Sequence, residues 1–242
     1  MSCKFIRNRK YIMESKKSKL KSLILNIDKY YISKKDIKEK MLEEKINLTN
    51  ETLNSYIKEF KNSKFIFSAG RGWYTKIEMK GVLSYKPTHN IVKKLEGKFP
   101  FLEFNCWSTE QFQPFFHHLL GKHLTFVYTS RDAISTLADF LRDRGYSVLE
   151  NPSKLNYRDS LQKLNIQIVI RPSIEREPNN NSHYSPIEKA AIDFIIENNV
   201  GNICSVEELD NCIKSALRSF YTDITGLEYY ASQKQIEVNK LI

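Results

Sequence analysis

An α+β fold in two parts is what this sequence predicts: a small helical front that ends in a β-hairpin, then a mixed α/β domain that runs into a helical tail. Three observations carry that prediction. The chain holds 38 Lys and Arg against 28 Asp and Glu, and the whole excess falls in residues 1–80, with 20 basic and 9 acidic side chains, a net +11 against −1 for residues 81–242. Three apolar stripes at helical spacing precede two aromatic-rich runs set around a Gly-x-Gly turn. Beyond residue 100, β-rich runs alternate with helical stripes, as in a sheet covered by helices. A chain of 242 residues can bury a core in each of two domains, and 41% apolar with 27% charged residues excludes global disorder and fibrous architectures.

No run approaches 18 apolar residues, so no membrane span is expected. The start, Met1 to Lys10, is basic without an apolar stretch and does not read as a signal peptide. Cys3, Cys106, Cys204 and Cys212 form no CxxC pair and read as scattered thiols of a cytoplasmic protein.

In the front part, Leu20, Leu23, Ile24 and Ile27 recur at i, i+3, i+4 and i+7, which predicts a helix over roughly 15–28. Tyr30-Tyr31-Ile32 is a short extended piece. Ser33 is a helix N-cap with Asp36 three residues on, and Ile37, Met41 and Leu42 carry the second stripe. Asn47-Leu48-Thr49-Asn50 is a turn with a cap built in. Leu53, Tyr56, Ile57 and Phe60 place a third helix over about 50–61. Lys64-Phe65-Ile66-Phe67 and Trp73-Tyr74-Thr75 flank Ser68-Ala69-Gly70-Arg71-Gly72, a hairpin whose glycines supply the positive φ of the turn.

Three helices followed by a hairpin is the order of a winged helix-turn-helix, here assigned to residues 1–80. Basic charge alone fits either a polyanion-binding module or a lysine-rich solubilising face, and the order of elements alone also fits a small three-helix protein-interaction domain. Together they favour double-stranded DNA as the partner. The third helix would enter the major groove with Asn50, Thr52, Asn54 and Ser55 at base edges, while Lys58, Lys61 and Lys64 neutralise phosphates and Arg71 lies at the tip of the wing. Trp73 and Tyr74 anchor the hairpin on the helices.

The run from Tyr31 to Ile37, the third helix, and Gly70-Arg71-Gly72-Trp73-Tyr74-Thr75 together resemble the N-terminal winged helix of AbiEi-type antitoxins, transcriptional autorepressors of abortive-infection toxin–antitoxin operons. The resemblance implies a phage-defence setting, an operator with inverted repeats bound by two copies, and a nucleotidyltransferase-type toxin as the partner opposed by the second domain.

Gly81 to Pro87 closes the first domain, and residues 81–242 form the second. Leu102 to Trp107 reads as a strand. Ser108 caps a helix carrying Phe112, Phe115, Phe116, Leu119 and Leu120, with a break or kink at Pro114. His123 to Thr129 is a strand, and 131–144 a helix ended by Gly145. Tyr146–Leu149 and Ile166–Ile170 are further strands. Pro172 to His183 is a polar linker. From about 184 a helical tail begins: Ile187, Ala190, Ala191, Phe194 and Ile195 make one stripe, Ser205 to Glu208 is a capping-box-like start, and 217–241 reads as helical with a break near Gly226. The strand with Trp107 and the elements through Leu149-Glu150-Asn151-Pro152 resemble the C-terminal domain of the same antitoxins; the long tail departs from it.

The constellations that could carry chemistry are sparse. His117 and His118 are adjacent and would point about 100° apart on a helix, and with His123 they find no second liganding pair, so no metal or other cofactor is expected. Glu103 and Glu150 on strands are the acids a nuclease could use, but no strand carries Glu-x-Lys. P-loop, dinucleotide-binding, zincin and serine-hydrolase signatures are missing. Cys106 beside Trp107 reads as core rather than nucleophile. The sequence therefore predicts no enzyme, with two rivals kept open: a DNA-processing or phage-defence enzyme whose second domain is nuclease-like and is targeted by the front part, and a pure interaction module whose basic third binds RNA or another protein.

Overall fold

The computed structural model describes residues 16–78, 81–178 and 182–242. The basic start with Cys3, the predicted helix start at 15 and part of the predicted linker lie outside them. The chain is mixed α+β, with helices and two small sheets. It divides into two units: residues up to Glu78 with Asp223–Thr225 and Ile242, and 79–222 with 226–241. No helix among the described residues is long and apolar enough to cross a membrane.

The first unit is built on helix α1 (16–26), strand β1 (Tyr31–Ser33), helices α2 (Lys34–Glu43) and α3 (Asn50–Asn62), and the hairpin β2 (Phe67–Ser68) and β3 (Trp73–Thr75). Its sheet is antiparallel in the order β1-β3-β2, with Ile32 opposite Tyr74 and Ser68 opposite Tyr74 on the other side. The predicted caps form. Ser33 and Asp36 exchange hydrogen bonds in a capping box at α2, and Thr49 accepts from the Thr52 amide at α3. Leu20, Leu23 and Ile24 of α1, Ile37 and Met41 of α2, and Leu53, Tyr56, Ile57 and Phe60 of α3 close one apolar core with Ile32, Ile66 and Tyr74. Lys64 takes the left-handed residue that ends α3, at φ 55°, a place more often held by glycine.

The second unit is three-layered around a four-stranded sheet in the order β4-β5-β7-β6. Helix α4 (His89–Lys98) leads into β4 (Phe104–Ser108), which pairs antiparallel with β5 (Thr125–Thr129). From β5 the chain passes through α5 (Ile134–Arg142), β6 (Val148–Glu150) and α6 (Lys154–Lys163) to β7 (Ile168–Pro172), which lies parallel to both β5 and β6. Strand alternation sorts the two faces. Cys106, Val127, Ile168 and Ile170 pack with Ile91, Val92 and Leu95 of α4 and Leu137 and Leu141 of α5. On the opposite face Trp107 stacks on Phe126, with centroids 4.4 Å apart, and meets Phe194 of α7 (Ile187–Gly201). Helices α8 (Val206–Ser219) and α9 (Ile224–Gln233) follow, the first two residues of α9 grouping with the first unit.

Several expectations change. The helix predicted from Ser108 to Leu120 is only a 3-10 segment, Thr109–Phe115. Pro114 supplies no N–H there, and the Gln113 side chain satisfies the following turn by bonding His118 O and the Leu120 amide. His117 and His118 therefore lie beyond any helix. The tail breaks at 220–223 rather than Gly226, because Thr222 Oγ1 donates to the Leu217 and Phe220 carbonyls at the end of α8. Helices α4 and α6 have no counterpart in the sequence expectation. The far end of the predicted linker pairs with β4, through Cys106 N to His183 O and Ser185 N to Cys106 O.

Candidate nucleic-acid interface

The buried stripe of α3 turns the opposite face outward, where Asn50, Glu51, Asn54, Ser55, Lys58, Lys61 and Asn62 are all exposed. Thr52 is elsewhere. At 100° per residue it lies about 160° around the helix from Asn54; it is half-buried, and its hydroxyl meets Thr49 Oγ1 at 3.0 Å. Thr52 completes the cap rather than the outward face. Glu51 sits in the middle of that face, an acid the sequence reading passed over.

Lys34 organises the region. Its ammonium donates to Asn54 Oδ1 at 2.7 Å, and its backbone N–H donates to Gly72 O at 2.8 Å. The start of α2, the outward face of α3 and the hairpin turn thus meet at one residue, through its side chain on α3 and its backbone on the turn. Sequence reasoning missed Lys34 because helix N-terminal positions show no periodic signal; its place directly after the Ser33 cap was the available clue. Among the described residues, Lys58, Lys61, Lys64 and Arg71 form no ion pair, whereas Lys17, Lys29, Lys35 and Lys40 are each held by a carboxylate. Arg71 is exposed in a turn where Gly70 and Gly72 adopt φ of 110° and 80°.

The second unit's polar groups are placed differently. Lys189 of α7 is wholly buried, with its ammonium 2.8 Å from Asp193 Oδ2, 2.9 Å from Glu177 Oε2 and over the Tyr128 ring. Tyr230 donates to Asp193 Oδ1 at 2.7 Å. Arg171 forks onto Glu197 through Nε and Nη2 at 2.8 and 2.9 Å, and its Nη1 donates to Pro152 O. Burial opposes the guanidinium charge, but the bond to Glu197 outweighs it and holds Arg171 above its usual value. Burial, aided by the charge of Asp193, pushes the Tyr128 and Tyr230 hydroxyls far up. The spacing Lys189, Asp193, Glu197 puts three ionisable groups on one helical line, a signal hidden by the apolar stripe beside it.

The other candidates do not converge. Glu103 precedes β4 and Glu150 ends β6, the two edge strands, which three strand spacings hold about 14 Å apart, and Glu150 lies level with Cys106 rather than with Glu103. Glu150 is tied to Arg142 and Ser135, bonds that hold its carboxyl below the usual value against the opposing effect of burial. A cleft of about 770 Å³ is lined by Glu96, Glu103, Asn105, Arg176, Glu177 and His183. Among the described residues no three of His, Cys, Asp and Glu are placed to hold a metal. Burial pushes the Cys106 thiol well up and that of Cys204 to about 11, so neither is a ready thiolate.

A family model described as a family of unknown function (DUF6577) matches residues 52–241. The chain belongs to that family. The match begins inside α3 and takes in the hairpin and all of the second unit of this DUF6577 chain. No curated protein matches the chain, and no solved structure does.

Proposed function

We propose that this protein is a sequence-specific DNA-binding repressor of the antitoxin kind, with the first unit acting as a winged helix-turn-helix. Helix α3 lies in the major groove, with Asn50, Asn54 and Ser55 toward base edges and Lys58, Lys61 and Lys64 toward phosphates. The β2–β3 hairpin is the wing, with Arg71 at the backbone or minor groove. The observation that carries the reading is the meeting of α2, the Asn54 face of α3 and the Gly72 turn around Lys34, since a groove-reading helix and a wing must work as one surface. Glu51 on the same face fits a reader of base amino groups, because a carboxylate accepts from cytosine N4 and repels phosphate.

The antitoxin half of the reading rests on the resemblance of the Tyr31–Ile37 run and the Gly70–Thr75 turn to AbiEi-type proteins. Under it the second unit restrains a nucleotidyltransferase-type toxin, and two copies occupy an inverted-repeat operator in the cytoplasm.

The test is titration of the full chain against labelled duplex carrying its own upstream region. Affinity should fall roughly 10³-fold between 50 and 200 mM salt if six or more phosphates are contacted. Arg71→Ala should weaken all sequences and lower the salt slope by about one, while Asn54→Ala should relax the preference for one base pair. Binding that ignores salt, or no binding to duplex at 50 mM, overturns the DNA reading. Co-expression with the neighbouring open reading frame tests the second half: a nucleotidyltransferase that is toxic alone and harmless with this chain is the expected result.

A further inference from the structure

The hairpin turn that carries Arg71 is closed only partly by its own strands. Ala69 N donates to Trp73 O at 2.9 Å and Trp73 N to Gly70 O at 3.3 Å. Besides the Lys34 amide on Gly72 O, further fastening comes from residues about 150 positions along the chain that belong to the same unit, Asp223–Thr225. Ile224, fully buried, donates its N–H to Ala69 O at 2.9 Å, and Thr225 Oγ1 donates to Arg71 O at 3.3 Å. Asp223 Oδ1 in turn accepts from the Thr225 amide at 3.1 Å, which fixes the Thr225 hydroxyl's backbone.

Gly70 supplies a second, independent sign that this contact is built in. A Cβ at Gly70 would stand 2.3 Å from Asp223 Oδ1, 2.8 Å from Thr225 Oγ1 and 3.0 Å from Thr225 N. Glycine is therefore required there twice, for its φ of 110° and for the room that the 223–225 segment occupies. Gly72, two residues on, has positive φ but nothing within 4 Å of its Cβ position, so the close approach is particular to the Gly70 side of the turn.

We propose that Asp223–Thr225 is a clasp on the wing, and that Thr225 is a positioning residue that sets the turn from which Arg71 reaches nucleic acid. The inference rests on the DNA-binding reading for its function, but not for its structure. An arginine on a loosely closed turn loses side-chain and backbone freedom on binding phosphate, and a clasp that orders the turn beforehand removes the backbone part of that cost. The wing is then incomplete in any fragment that stops near residue 80, so the full chain is the molecule to test.

The experiment pairs amide hydrogen exchange at Ala69 and Trp73 with DNA titration, on the full chain and on Thr225→Val, Thr225→Ser and Arg71→Ala. Valine keeps the shape of threonine and removes the donor, while serine restores it. Thr225→Val should speed exchange at those amides roughly three- to tenfold, the equilibrium weight of one hydrogen bond, and Thr225→Ser should return it to the wild-type rate. The same variant should weaken DNA binding by roughly three- to tenfold, and combined with Arg71→Ala it should bind within about twofold of Arg71→Ala alone, because the two changes disable one contact. Unchanged exchange in Thr225→Val overturns the clasp. Faster exchange with unchanged DNA affinity, or strictly multiplicative losses in the double variant, overturns the positioning role. Faster exchange in a chain that binds no duplex at all leaves the clasp standing and sinks the DNA reading instead.

Discussion

Among the described residues of the first unit, the one buried polar side chain is Thr75, and no charged residue is fully buried. In the second unit α7 alone buries Glu188, Lys189, Asp193, Glu197 and Asn198. Both units bury an apolar core, so the presence of one is not what sets them apart. The difference lies in what charge does. Exposed charges on the first unit are cheap to keep and cheap to lose, since a surface ion pair is worth about 0–1 kcal/mol; they can be arranged for a partner. Buried charges in the second unit are expensive to desolvate and tolerable only while each keeps its partners. They fix how α7, the sheet and α9 fit together, and they are not available to anything outside.

The sharpest way to break that contrast is Lys189→Ala. It leaves Asp193 and Glu177 facing each other in the interior with no cation, and removing one member of a buried charge cluster costs about 3–5 kcal/mol. For a chain of this size that should lower the melting temperature by about 10 °C, as followed by circular dichroism. A loss below about 1 kcal/mol would mean that the cluster is in effect a surface one and that the contrast does not hold.

A second variant separates the worth of the charges from the worth of the space they fill. Arg171→Met strands Glu197, and Glu197→Leu strands Arg171, so each should cost about 3–5 kcal/mol. The double variant strands neither, and its long apolar side chains fill the same volume between β7 and α7. It should fall within about 1–2 kcal/mol of the wild type, measured by urea unfolding. If the double variant is as damaged as the singles, the Arg171 bond to Pro152 O carries more of the packing than the ion pair does.

Much of the first unit was legible because its rules are local. Leu53, Tyr56, Ile57 and Phe60 could only be one face of a helix, and Ser33 with Asp36 could only be a cap. The second unit was legible where strands alternate and opaque where helices are buried all round. Residues Ile187 to Phe194 are all buried, so the apolar stripe of α7 does not mark a boundary between inside and outside, and it gives no sign of the line of Lys189, Asp193 and Glu197 beside it. The candidate interface was half legible. The outward residues of α3 follow from periodicity, but Lys34 and the 223–225 segment reach the turn through contacts 38 and more than 150 positions apart in the chain, which no local pattern records.

The smallest effect tests the first unit's side of the contrast. Ser33 Oγ accepts from the Asp36 amide at 3.0 Å, while the Ser33 amide and hydroxyl both donate to Asp36 Oδ2. Partial burial works to raise the Asp36 carboxyl, but the bonds from Lys29 and Ser33 outweigh it and hold the group below its ordinary value. A carboxyl lowered in the folded state contributes stability above the unfolded value, about 3.9, and that contribution fades as pH falls through the lower folded value. Ser33→Ala should therefore cost about 1 kcal/mol at pH 7, the usual weight of an N-cap, with the gap to wild type narrowing below about pH 4 as Asp36 takes up its proton. Urea unfolding at pH 7 and pH 3 reads both numbers. A cap sits at the surface with water ready to replace each lost bond, which is why its loss should be several times smaller than that of Lys189. A Ser33→Ala cost of 3 kcal/mol or more at pH 7 would instead place the cap among the interior polar groups, with Lys34 and the turn it holds depending on it.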